Sequence, residues 1–117
     1  MVWLLHQDWR KIMERKINII ILDNILDSEF KKIPRSLTGK EIGEYFYVRY
    51  VKDCVDWDRI NFIVFPKYIK NVSISFVKGF TKQIFKKIYK DEFNEYFTIM
   101  GGGNIDFAHK FVRSIYF

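Results

Sequence analysis

Apolar residues fall along the chain in short blocks, and the spacing inside each block differs. Ile17 to Leu22 reads Ile-Asn-Ile-Ile-Ile-Leu, a β-branched run followed by the turn-forming pair Asp23 and Asn24, which predicts a buried first strand. Ile60 to Phe65 predicts a second strand, closed by Pro66, which has no N–H to donate to a continuing ladder. Tyr96 to Met100 predicts a third, followed by a turn at Gly101 to Gly103.

Between these blocks the period lengthens. Thr38 precedes Glu41 in capping-box spacing with Gly39 at the first helical position, predicting a helix that carries Ile42, Phe46 and Val48 towards Val55. Phe76, Phe80, Ile84 and Ile88 repeat every four residues while Lys78, Lys82 and Lys86 repeat on the other side, predicting a helix from Phe76 to about Lys90 with Ser75 as its N-cap. Asp106 to Ile115, with Phe107, Phe111 and Ile115 on one face, predicts a closing helix. Val2, Leu5, Trp9 and Ile12 at spacings of three and four suggest a short helical appendage over residues 1–16. Strands alternating with helices define an α/β (or α+β) fold, a small sheet covered by helices.

Composition narrows this to one core. The 117 residues suffice for a single domain, 1–117, and no repeat, low-complexity tract or linker divides them. With 49% hydrophobic and 19% aromatic residues, the chain has ample material to bury. Its longest uncharged stretch, Tyr96 to Ile105, is half of what a membrane span needs and holds three glycines, so no transmembrane helix is expected. Val2 to Leu5 is too short for a signal-peptide core, and Cys54 is the only cysteine, so a cytoplasmic protein without disulfides is expected. Asn71-Val72-Ser73 matches a glycosylation triplet, which is taken as chance without a route to secretion.

Candidate chemistry is sparse. Asp53, Asp56 and Asp58 lie close in sequence, yet read most simply as a solvated acidic loop rather than general acids or bases. His6 and His109 have no His-x-x-x-His or Cys-x-x-Cys companion, so no metal site is expected. Cys54 beside Asp53 has no cue for a lowered pKa. Thr38-Gly39-Lys40 resembles the tail of a phosphate loop, but Pro34 stands where that loop needs glycine and Glu41 where it needs a hydroxyl. Gly101 to Gly103 before a helix could offer N–H groups to an anion, although a plain turn is the simpler reading. No catalytic residues and no cofactor are expected, so the chain is read as a non-enzyme.

Charge supplies the clearest asymmetry. The net charge is +6, and seven lysines (Lys67, Lys70, Lys78, Lys82, Lys86, Lys87, Lys90) lie between Pro66 and Lys90 without one acid. A solvated face, an acidic protein partner and a nucleic acid all fit this run, and Tyr68, Phe85 or Tyr89 could stack bases. The excess of lysine over arginine argues against a dedicated nucleic-acid reader.

Three spaced motifs carry a resemblance. They are Arg35-Ser36-Leu37-Thr38-Gly39-Lys40-Glu41-Ile42, the strand Ile60 to Phe65, and Val72-Ser73-Ile74-Ser75-Phe76, with Asn104 fitting loosely after the last strand. Together they resemble the bacterial STAS-like domains related to anti-sigma-factor antagonists: an Arg then Thr-Gly entry into the first helix, a central strand, and a Val-Ser-x-Ser-Phe turn. The chain departs from that pattern at Phe65-Pro66, where the family tends to have Asp-Phe, and at Ile74, where the antagonists carry a phosphorylated serine. The resemblance implies a non-enzymatic regulatory module of bacterial or phage origin that docks a protein partner such as a histidine-kinase-type ATPase or a sigma regulator. The docking surface it implies comprises Ser73, Ile74, Ser75 and Phe76, with Lys78 and Lys82 on the helix that follows. Ser73 and Ser75 are the hydroxyls open to phosphorylation there, an ordinary capping role for Ser75 being the simpler reading. A small basic nucleic-acid-binding protein is the alternative.

Overall fold

The computed structural model describes residues 16–22 and 36–117; the proposed appendage before Lys16, and Arg35 of the first motif, lie outside them. Among the described residues five strands and four α-helices follow in order: β1 Ile17–Ile21, β2 Ser36–Leu37, α1 Lys40–Tyr50, β3 Ile60–Phe65, β4 Asn71–Val72, α2 Ile74–Thr81, α3 Phe93–Tyr96, β5 Phe97–Gly101 and α4 Phe107–Ser114. The fold is α/β. β1, β3 and β5 form one parallel sheet with β3 central, and β2 and β4 form a separate two-residue parallel pair.

Register decides which residues enter the core. Ile20, Ile63 and Ile99 are aligned across the three strands and buried, and Leu22, Phe65 and Phe97 are buried beside them. Ile19, Phe62 and Thr98, and likewise Ile21, Val64 and Met100, are aligned on the opposite face. α1 and α2 pack against each other over the buried face, and α4 joins them against β5. Rings fill the space between: Phe65 lies 6.0 Å from Phe46, 6.0 Å from Phe80, 5.1 Å from Phe107 and 5.6 Å from Phe111. Phe80 and Ile84 are both fully buried, as their four-residue spacing predicts, and the Phe80 ring lies against Phe65 of the sheet.

Asn61 is a polar side chain built into that core. Asn61, wholly buried, accepts hydrogen bonds at Oδ1 from Asn18 Nδ2 (2.7 Å) and the Asp56 N–H (2.9 Å). Its Nδ2 donates to the carbonyls of Asp56 (2.9 Å) and Tyr96 (3.1 Å). Asn18 also donates to the Cys54 carbonyl at 2.7 Å. The two asparagines therefore anchor the loop before β3 to the N-terminal edge of the sheet, with both ends of the buried Asn61 amide hydrogen-bonded.

Several expected boundaries are corrected. Gly39, at φ 93°, holds the cap position of α1, so the Thr38–Glu41 capping box does not form and glycine's access to positive φ makes the turn instead. α1 ends at Tyr50 and tightens into a 3₁₀ turn at Lys52–Cys54, drawn towards the sheet by the Asn18 bond. Its buried face is Gly43, Phe46, Tyr47 and Tyr50, which leaves Ile42 and Val48 exposed.

α2 is capped by Ser73, not Ser75: Ser73 Oγ accepts from the Phe76 N–H at 3.0 Å. The pairing of Val72 with Leu37 holds the chain extended up to residue 72, so the helix starts directly after it. α2 stops at Thr81, whose hydroxyl donates back to the Val77 carbonyl at 2.7 Å, and the chain continues in 3₁₀ turns at Ile84–Lys86 and Lys90–Glu92 rather than in one helix to Lys90. β5 and α4 each begin one residue later than predicted, because Tyr96 closes α3 and Asp106 occupies the cap.

Candidate binding site

The polar features converge at the C-terminal ends of the parallel strands, where open α/β sheets characteristically hold ligands. After β3, buried Pro66 accepts from the Ile69 N–H at 3.2 Å, and the turn delivers Lys70 to the surface just before β4. After β5, Gly101 (φ 86°) and Gly102 (φ 81°) turn the chain back across the end of β3. The Gly102 N–H donates to the Phe65 carbonyl (3.2 Å) and the Gly103 N–H to the Ile69 carbonyl (2.8 Å). Both amides are thereby consumed, so the triple glycine is a packed crossing and not a phosphate cradle. A Cβ on Gly103 would overlap the Lys67 carbonyl oxygen, which ties the two loops tightly together.

The Asn104 side chain then accepts from the Asp106 N–H at 3.0 Å and starts α4. Between the Lys70–Asn71 segment and α4 lies an open cleft of about 460 Å³, floored by Phe107 and Asn104. Lys70 lines one wall and Lys110 and Arg113 the other, with His109 and Asp106 at the margin. Three fixed positive charges thus face one carboxylate. Among the described residues none of the three cations is in an ion pair, whereas Lys82 is held by Glu44 at 3.5 Å.

The residues expected to dock a partner are divided by the structure. Ile74, Ser75, Lys78 and Lys82 are exposed and Ser73 is half-buried. Phe76 is fully buried, its ring 5.6 Å from Phe46 and 6.0 Å from Phe80, so it is corrected from contact residue to core residue. Ser73 Oγ is engaged by the Phe76 N–H and lies 3.1 Å from Ser75 Oγ. Lys82 shares Glu44 with Gln83, whose Nε2 donates to it at 3.0 Å. That hydrogen bond, then the lysine charge, hold the Glu44 carboxyl below its ordinary pKa. The turn is continuous with the cleft through Asn71.

Other candidates lie elsewhere. Asp56 accepts from the Asp58 N–H at 3.0 Å and pairs with Arg59 at 3.1 Å, at the opposite end of β3 from the cleft. Among the described residues no three His, Cys, Asp or Glu side chains converge as a metal site would require, and no helix is long and apolar enough to cross a membrane. Cys54 is exposed. The cleft was not anticipated because Lys70 and Lys110 are distant in sequence. The available signal was His109 and Arg113 on the helix face opposite Phe107 and Phe111, with Lys110 at its flank. No family model, curated protein or solved structure matches the chain.

Proposed function

We propose that the protein is a non-enzymatic, STAS-like regulatory module of the bacterial or phage cytoplasm that binds a partner protein through an anionic side chain. The anion, a carboxylate or a phosphoryl group, is received by Lys70, Lys110 and Arg113, and the neighbouring Ser73–Lys78 turn adds the surrounding contact. One observation carries this reading: three cations with no ion pair among the described residues line one cleft at the C-terminal edge of a parallel sheet. The spaced motifs of the sequence support the choice of a protein partner, for which a histidine-kinase-type ATPase or a sigma regulator is the class the resemblance implies.

The test is a titration of the isotope-labelled protein with an acidic phosphoserine peptide and, separately, with a generic DNA duplex. Peptide shifts centred on Asn71, Asn104 and Lys110, abolished by combined Lys110→Glu and Arg113→Glu, are the expected result. Peptide binding indifferent to those changes would overturn the assignment. Binding confined to DNA and collapsing steeply with salt would establish the nucleic-acid alternative.

A further inference from the structure

The hydrogen-bonding inventory of the cleft distinguishes a phosphoryl group from a carboxylate, provided the anion-binding reading on which this rests holds. Lys70, Lys110 and Arg113 carry donors and no acceptor. Asn104 joins them through a local constraint. Its Oδ1 accepts from the Asp106 N–H at 3.0 Å, and only an oxygen can meet that N–H, so the amide's orientation is fixed and Nδ2 is the end left for a ligand. That Nδ2 has no partner among the described residues. His109 at the margin offers a ring N–H in either protonation state. Against these donors the lining sets one carboxylate, Asp106.

The donors are gathered before a ligand arrives. The Gly103 N–H binds the Ile69 carbonyl at 2.8 Å, joining the residues immediately ahead of Asn104 and Lys70, so both side chains leave one clamped pair of loops. Lys110 and Arg113 stand about one turn apart on α4. Charge then decides. Three cations against one carboxylate leave a surplus of two positive charges. A phosphoserine side chain, at about −1.5 to −2 with three acceptor oxygens, matches that surplus. A glutamate side chain brings a single charge on a pair of oxygens, and leaves a cation unmatched.

We propose that the cleft is selective for a phosphoryl group: it takes a phosphoserine side chain of the partner in preference to a carboxylate, with Lys70 Nζ and Asn104 Nδ2 as the specificity-determining donors. Docking is then governed by whether the partner is phosphorylated.

Two capped single residues, the N-acetyl N-methylamides of phosphoserine and of glutamate, test this in NMR titrations of the isotope-labelled protein. The phosphoserine probe should bind at least about tenfold more tightly, the equivalent of one further hydrogen bond between charged groups, with shifts centred on Lys70, Asn104 and Lys110. Asn104→Asp keeps the oxygen that accepts from the Asp106 N–H and replaces the free donor by a negative oxygen, so it should fold and lose the preference. Lys70→Gln, at an exposed position, should bring phosphoserine affinity down to the glutamate level. A smaller ratio for the parent protein overturns the proposal and leaves the anion reading standing, whereas shifts from neither probe overturn both. A preference that survives in whichever of these variants folds, or shifts centred on Lys78 and Lys86 instead, also overturns the proposal.

Discussion

Gly43 of α1 and Gly79 of α2 face each other's backbone where the two helices cross: a Cβ on Gly43 would overlap the Phe76 carbonyl oxygen, and a Cβ on Gly79 the Lys40 carbonyl oxygen. In an exposed helix, replacing glycine by alanine gains up to about 1 kcal/mol. Here the obstacle is main chain and cannot turn aside, so overpacking costs about 1–3 kcal/mol and outweighs that gain. Gly79→Ala and Gly43→Ala should each lower the urea midpoint. A rise in either variant would mean the crossing is looser than described.

Asn61 supports a second prediction. Asn61→Asp removes the donor that faces the Asp56 and Tyr96 carbonyls and puts a carboxylate among acceptors. Burial and those acceptors raise the pKa of the introduced carboxyl in the folded state, so its penalty is smallest below the ordinary value of about 4 and grows as pH rises through the higher folded value. At neutral pH the loss should exceed about 3 kcal/mol. Chemical denaturation at pH 4 and pH 7 should give a larger deficit at pH 7.

Tyr47 is 2% exposed and burial pushes its pKa up to about 12. The unfolded chain ionises this phenol near 10, so the stability it contributes is intact below that pH and is lost as pH rises towards 12. The loss amounts to about 2–3 kcal/mol. Stability curves measured from pH 9 to 12 should fall less steeply for Tyr47→Phe than for the parent, and equal slopes would contradict the assignment.

Phe80 and Lys82 contrast two sides of one segment. Phe80→Ala should cost about 3–5 kcal/mol, since the ring packs on Phe46, Phe65 and Phe111. Lys82→Ala loses a largely exposed ion pair and should change stability by no more than about 0.5 kcal/mol. Thermal unfolding of both variants checks the pair.

The three strands of the main sheet were legible in the sequence because β-branched blocks bounded by turn residues have few other uses, and Pro66 closes β3 just as its missing N–H demands. Helix boundaries were less so. Ser73 and Ser75 are equally good caps by chemistry, and only the pairing of Val72 with Leu37 chooses between them. Two-residue strands such as β2 and β4 have no periodicity to read. The four-residue repeat named the buried positions of Phe76 to Ile84 correctly but not the 3₁₀ turns after Thr81, where Phe85 meets Phe93 of α3 at 6.1 Å. The cleft was hidden for a related reason: Lys70 meets Arg113 only after β3 and β5 have paired.

The chain order of β1, β3 and β5 is also their spatial order, and this bears on how the molecule is assembled during synthesis. Each strand takes its place beside its predecessor, so the sheet can grow from one edge without threading or rearrangement. The aromatic core, however, is completed last. Phe65 and Phe80 acquire Phe107 and Phe111 only when α4 arrives, and until then a nascent chain with a formed sheet displays ring faces to water.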